Sequence, residues 1–216
     1  MSAPQSATED LPLVVACALG IERLALRGGG RSGAPGTLLV LRTGMGPRAA
    51  ERSLVRTLQG PRLRTAAVLA TGFCAGLVPG MNPGDLVVAT ETRDPRGATV
   101  CEGTSALKAA LSSAVPGRTI HTGPLIGSDH VVRGPERAAL RAGGAIAVDM
   151  ESASTLWSAV SVGPRPVASV RVVVDAPEHE LVRIGTVRGG ISAFRVLRAI
   201  LPAFFDWHRT LLLPRR

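Results

Sequence analysis

The chain has 216 residues, a length that suits one domain, or at most two small ones, and that can bury a sizeable core without disulfides or metals. Hydrophobic residues make up 45% and charged residues 19%, which excludes a disordered chain. The formal net charge is +9, but Lys108 is the single lysine among 25 basic residues and tyrosine is absent; this skew reads as codon bias, so the charge is no argument for a nucleic-acid partner. Cys17, Cys74 and Cys101 are odd in number and have no CxxC spacing, which excludes a disulfide framework and a zinc site and fits a reducing cytoplasm.

Residues 1–10 read as a loose polar tail. The apolar run 11–19 follows with no basic segment before it. Val14 to Cys17 resembles a lipoprotein processing site, but without that basic segment the run reads as a first buried strand. No stretch reaches the ~20 apolar residues needed to span a bilayer. Strands are expected at 13–18, 37–42, 66–70, 85–89, 120–126, 145–149 and 168–174, and helices at 46–59, 104–114, 135–142 and 150–160. Several strands are continuous apolar runs, the pattern of strands covered on both faces by helices. The alternation predicts one α/β domain over residues 11–216, with 28–36 as a surface loop.

The last stretch differs. Residues 191–213 carry Ile191, Phe194, Leu197, Leu201, Phe204, Phe205, Trp207 and Leu211 near helical spacing, and Pro202 is expected to kink or divide the helix. Two uses are open for this segment. It packs on the core or on a partner subunit, or it is an interfacial helix that touches a membrane or meets a lipid-like substrate.

Four clusters sit at the ends of expected strands, where open α/β sheets bind ligands. They are Thr43-Gly44-Met45-Gly46-Pro47, Thr71-Gly72-Phe73-Cys74-Ala75-Gly76, Val148-Asp149-Met150-Glu151-Ser152-Ala153 and Val172-Val173-Val174-Asp175-Ala176-Pro177. No GK[ST] follows the first, and its glycines lack the third member of a dinucleotide fingerprint.

In this order, with the segments TGMGPRAA (43–50), ATGFCAGLVPGMNPGDLVVATE (70–91), GSDHVVRGPE (127–136), AVDMESAS (147–154) and SVRVVVDAPE (169–178), the sequence resembles the nucleoside phosphorylase and nucleosidase superfamily. That superfamily includes methylthioadenosine/adenosylhomocysteine nucleosidases, futalosine hydrolases and hopanoid-associated phosphorylase-like proteins. The last group is the closest in flavour, through GSDHVV, AVDMESA and the arginine-rich, hydrophobic C-terminus. The resemblance implies a three-layer α/β/α fold around a central mixed sheet, and cleavage of an N-glycosidic bond.

The resemblance also gives residues their roles. Asp175 would protonate or hydrogen-bond the departing purine near N7; alternatively it only caps a turn. Glu151 would grip the ribose hydroxyls and favour the cationic sugar, or merely start a helix. Met150 would pack on the sugar, with Asp149 as a supporting partner or a cap. Val131 and Val132, with Gly72 and Phe73, would line the base. An aromatic stands at the Val131 position in methylthioadenosine nucleosidases, so base stacking is weakened here. His130 is either a titratable group of the site or a loop residue. Glu22 would be the general base or would position the nucleophile; the other reading is a solvated glutamate in a first helical turn.

The positions where the phosphorylases hold phosphate are Ala70 and Phe73 here, and neither side chain binds an oxyanion. Water is therefore the expected nucleophile, with no metal and no cofactor. Phosphorolysis, with phosphate held by Arg23, Arg42 or Arg48, is the rival. The expected substrate is an adenine nucleoside. The hopanoid flavour suggests adenosylhopane, a lipid-linked one, with futalosine and methylthioadenosine as alternatives. A cytoplasmic homo-oligomer that touches a membrane through its C-terminal helix completes the expectation. A non-catalytic nucleoside- or nucleic-acid-binding protein is the rival from another class. With most aromatics near the C-terminus, no basic-aromatic platform for nucleic acid is present.

Overall fold

The computed structural model describes residues 11–176 and 186–213, residues 186–191 by their backbone alone. The N-terminal tail and Pro177 and Glu178 of the last motif lie outside the described residues. Eight strands and seven α-helices follow in chain order: β1 Leu13–Cys17, α1 Gly20–Arg27, β2 Leu38–Arg42, α2 Pro47–Leu58, β3 Ala67–Gly76, β4 Leu86–Asp94, β5 Gly97–Val100, α3 Thr104–Ala114, β6 Ile120–Gly127, α4 Pro135–Ala142, β7 Ala147–Asp149, α5 Ser152–Val162, β8 Val167–Asp175, α6 Thr186–Ala199 and α7 Leu201–Leu211.

The strands form one mixed sheet in the order β2-β1-β3-β7-β6-β4-β5, with β8 between β3 and β4. The pairs β3–β8, β8–β4, β4–β6, β6–β7 and β7–β3 close part of it into a ring. Successive side chains of a strand point to opposite faces. Leu13, Val15 and Cys17 of β1 therefore enter one core with α1, α3, α6 and α7, whereas Val14 enters the other with α2 and α5. Two buried faces explain why the strands read as unbroken apolar runs, and the result is the expected α/β/α layering around a mixed sheet.

Three elements differ from expectation. β3 runs on through Thr71–Gly76, because β8 and β7 pair with it beyond Ala70; the second glycine cluster lies within a strand and not after one. β4 likewise extends to Asp94, where the polar strand β5 pairs with it as a hairpin. α1, whose N-cap is Leu19, is capped from within by Glu22.

The C-terminal helices divide at Ile200, with Pro202 in the first turn of α7. Leu197, Leu201, Phe204, Phe205 and Trp207 are fully buried in the first core. The Trp207 indole N–H donates to the Glu102 carbonyl at 2.9 Å, and Arg198 Nε donates to the Gly28 carbonyl at 2.8 Å. This corrects the interfacial reading: the aromatic face that suggested contact with lipid is spent on the core. No helix among the described residues is long and apolar enough to cross a membrane.

Candidate active site

Glu22 stands in the first turn of α1 and is only 2% exposed, so the solvated reading does not hold. Its Oε2 accepts the backbone N–H groups of Ala18 (2.9 Å) and Leu19 (2.8 Å), and its Oε1 accepts that of Phe73 (2.9 Å). A carboxylate has about four acceptor positions. Three are filled, and the remaining one is on Oε1.

That oxygen faces Gly72. A Cβ built on Gly72 would lie 2.5 Å from Glu22 Oε1 and 2.5 Å from Arg171 Nη1, and the residue has φ +136°. Only glycine lets Glu22 and Arg171 close on the β3 backbone. Gly72→Ala is expected to push both side chains aside and to lower turnover by about 10²-fold, the cost of a misplacement near 1 Å. Steady-state kinetics checks this, with a melting curve to register the strain.

Arg171 projects from β8 and is 1% exposed. Its Nη2 pairs with Asp149 Oδ2 at 2.6 Å, Nε donates to Ser152 Oγ at 2.8 Å and Nη1 to the Thr71 carbonyl at 2.9 Å. Burial works against its charge, but Asp149, Glu151 and Glu22 offset this and hold the guanidinium above its ordinary pKa.

Asp149 also accepts the Ser152 N–H at the start of α5, at 3.1 and 3.2 Å. With both oxygens engaged and the side chain 1% exposed, Asp149 is a cap and an ion-pair partner, not a substrate contact. Glu151, at the N-cap of α5, accepts the Gly46 N–H at 2.8 Å, which ties the first motif to the third. Burial pushes its carboxyl above the usual glutamate value, and Arg171 opposes the shift.

That direction sets a pH dependence. As pH rises through the raised value, Glu151 ionises and becomes a pure acceptor for hydroxyl groups. Nucleoside affinity is expected to tighten over this range, with a midpoint above that of a free glutamate. Glu151→Gln is expected to weaken binding and to flatten this limb of a KM–pH profile. The folded state holds this proton more tightly than the unfolded chain, so the contribution of Glu151 to stability falls as pH rises through the same window.

Asp175 ends β8, just after a register shift between Cys74 and Ala75 that leaves Val174 without a partner on β3. Such a bulge re-aims the next side chain. Asp175 Oδ2 pairs with Nη2 of Arg137 on α4, and Arg137 Nε donates to the Val132 carbonyl at 3.2 Å. The Val132 side chain is buried with Leu77, Ala145 and Val148, and its carbonyl accepts from Arg137. Val131 is 62% exposed. The Phe73 side chain is half-buried against the first core, so its backbone N–H is its link to the site.

Met150 opens onto a cleft of about 630 Å³ lined by Arg48, Glu51, Arg96, His130 and Glu136 among others. His130 is exposed, with Nδ1 2.8 Å from Asp129 and Nε2 3.0 Å from Glu136; these carboxylates raise its pKa. Arg42, at the end of β2, is exposed, and Arg23, on α1, is half-buried. Among the described residues, no group of three or more His, Cys, Asp or Glu side chains could hold a metal ion.

Sequence reasoning missed Arg171, Ser152 and Arg137. A lone charge inside the apolar run SVRVVVD was a signal for Arg171, since a buried charge requires partners. Arg137, in the amphipathic stretch PERAALRA, carried none.

Residues 30–202 match the family model of the phosphorylase superfamily. The chain belongs to this superfamily. A comparison with curated protein sequences finds no match. Solved structures share the superfamily fold. One is the 5′-methylthioadenosine/S-adenosylhomocysteine nucleosidase of Neisseria meningitidis in complex with methylthio-immucillin-A, with TM-score 0.74 and 18% identity over 92% of this chain and 99% of that one. Another is the S-adenosylhomocysteine nucleosidase of Streptococcus pyogenes in complex with 5-methylthiotubericidin, with TM-score 0.73 and 15% identity over 95% and 99%. A third is the nucleosidase of Colwellia psychrerythraea 34H in complex with adenine, with TM-score 0.69 and 16% identity over 90% and 96%. At these identities the likeness concerns the fold of this phosphorylase-superfamily chain.

Proposed function

We propose that the protein hydrolyses the N-glycosidic bond of an adenine nucleoside, with methylthioadenosine-type nucleosides as the favoured substrates. The observation that carries this reading is Glu22: a buried carboxylate, fixed by three backbone N–H groups, with one acceptor position left beside Gly72. A water molecule that donates to this position is oriented and made more nucleophilic. Glu151 accepts ribose hydroxyls, and its charge favours the cationic sugar that develops as the bond breaks. Asp175, with Arg137, serves the imidazole edge of the departing base. Met150 packs against the sugar, and the cleft beside it receives the 5′ substituent.

Hydrolysis is favoured over phosphorolysis on electrostatic grounds. Glu22 and Glu151 are both buried, and the charge of Glu22 adds to the burial that raises the Glu151 carboxyl. Two carboxylates repel a phosphate dianion, and Ala70 and Phe73 offer it no side-chain donor. Adenosylhopane loses its independent support because the C-terminal aromatics are core residues. Burial pushes the thiols of Cys17 and Cys101 up to about 12, so these cysteines stay inert, in keeping with a cytoplasmic enzyme.

The test is base release from methylthioadenosine, adenosine, adenosylhopane and futalosine, each with and without phosphate. The expected result is adenine and a free ribosyl sugar from methylthioadenosine in phosphate-free buffer. Release that requires phosphate would replace the hydrolytic reading with the phosphorolytic one.

A further inference from the structure

The outer face of α6 and α7 differs in kind from the aromatic stripe that these helices bury. Arg195 and Arg198 are exposed on α6 and, with the glycine run 28–30, line a groove of about 460 Å³. A Cβ on Gly29 would lie 2.7 Å from the Arg198 carbonyl oxygen, so the run lies directly on the helix and has no side chain to fill the groove. Arg198 Nε donates to the Gly28 carbonyl at 2.8 Å, and Nη1 of Arg209, on α7, donates to the Gly33 carbonyl at 3.1 Å. The loop is thus strung between two arginines. Arg27, in the last turn of α1, and Arg31, in the loop, are exposed beside them.

Elsewhere arginines of this chain meet carboxylates: Arg93, Arg96, Arg137 and Arg171 each pair with one. On this face the one such pair among the described residues is Arg209 with Asp206. Over 20–36 and 192–213 the other carboxylate is Glu22, which is buried. Codon bias accounts for arginine in place of lysine, but not for arginines gathered on one face without counter-charge. Their mutual repulsion works against the fold, and an anion in the groove relieves it. The guanidinium fork matches the oxygens of a phosphate.

The same face carries aliphatic side chains. Pro202, Asp206 and Arg209 follow one stripe of α7 and lead to Leu212 and Leu213, which are 47% and 65% exposed. Leu24 flanks Arg27 on α1 and is exposed. The aromatic rings turn inward: Phe204, Phe205 and Trp207 are buried, and Phe194 packs against the same core. No ring of these helices is left for stacking on nucleic-acid bases. A second copy of the chain would set the cluster against itself, arginine facing arginine. Arginines for phosphate, with leucines for the acyl boundary, are the two signals that a peripheral membrane contact combines.

We propose that this face docks the protein on an anionic lipid surface. Arg195 and Arg198 take headgroup phosphates in the groove, Arg27 and Arg31 widen the charged contact, and Leu212 and Leu213 enter the boundary between headgroups and acyl chains. The docking does not depend on which nucleoside is cleaved.

The experiment is co-sedimentation of the full chain with phosphatidylcholine vesicles, with and without phosphatidylglycerol, at low and high salt. Binding is expected only to the vesicles that contain phosphatidylglycerol, and it is expected to weaken as salt screens the charges. The double variant Arg31→Gln/Arg195→Gln is expected to weaken it by roughly 25-fold, about fivefold for each arginine held near a charged surface. Arg62→Gln/Arg64→Gln removes the same charge from exposed positions beside Leu63, which packs the second core across the sheet. Beyond the reach of the surface potential, this change is expected to cost less than about threefold. Leu213→Ser is expected to weaken binding in high salt as well. Melting curves establish that each variant is folded. Equal binding to the two kinds of vesicle overturns the proposal, and so do equal losses in the two double variants. Release by soluble glycerol phosphate at matched phosphate concentration would reduce the groove to a site for free phosphate groups and overturn the membrane contact. Tighter binding of a duplex oligonucleotide than of the anionic vesicles would overturn it in favour of nucleic acid.

Discussion

Asp175→Asn is expected to lower turnover by about 10²–10⁴, the usual scale for the loss of a positioned acid–base group. The amide lacks the charge that pairs with Arg137, and it offers one acceptor oxygen where the carboxylate offers two. If that oxygen stays on Arg137, the amide N–H₂ takes the place of Oδ1 and sets a donor where the carboxylate has an acceptor. If the amide flips, the guanidinium faces N–H₂. The substitution also removes the counter-charge of a largely buried arginine. Breaking such a pair costs about 3–5 kcal/mol where it is fully buried, so a melting curve must accompany the kinetics. The distinguishing result is the loss of turnover at temperatures where the variant is folded. Near-native turnover there would remove Asp175 from the site.

Glu22→Gln is the second large effect. The carboxylate satisfies three backbone N–H groups, two at Oε2 and one at Oε1. Glutamine has a single oxygen. Placed at the Oε2 position, it still caps α1, but its N–H₂ then meets the Phe73 N–H and presents a donor where the water should donate. Turnover is expected to fall by about 10²–10⁴. Stability is expected to fall by about 1–3 kcal/mol for the orphaned backbone donor. Nucleoside affinity, which the proposed reading assigns to Glu151 rather than Glu22, is expected to change little. A split between kcat and KM checks this. A rise in KM with unchanged kcat would make Glu22 a binding group and contradict its role with water.

The layering was legible because β1, β3, β4 and β8 are buried on both faces, and burial on both faces writes itself as unbroken apolar runs. α3 and α4 were legible at both ends. α1 was not, because its cap is the long-range-bonded Glu22 and not a residue at the N-cap. β5 was not, because a polar strand on the hairpin edge carries no apolar period. The carboxylates of the site stood out through motifs at element junctions, where Asp149, Glu151 and Asp175 do lie. Which carboxylate serves structure and which remains available was not legible. Asp149 and Glu151 are two residues apart in one motif, and only the reach of Arg171 from β8 decides that Asp149 is consumed. Arg137 is one of many arginines, and its meeting with Asp175 joins α4 to the end of β8 across 38 positions of sequence.

In the proposed reading, Glu22 activates water and this phosphorylase-superfamily chain needs no phosphate. The most direct measurement is adenine release from methylthioadenosine in rigorously phosphate-free buffer, for wild type and Glu22→Gln side by side. The account predicts release by wild type without phosphate and loss of about 10² or more in the variant. Equal rates in the two proteins, or release by wild type only when phosphate is supplied, would contradict it.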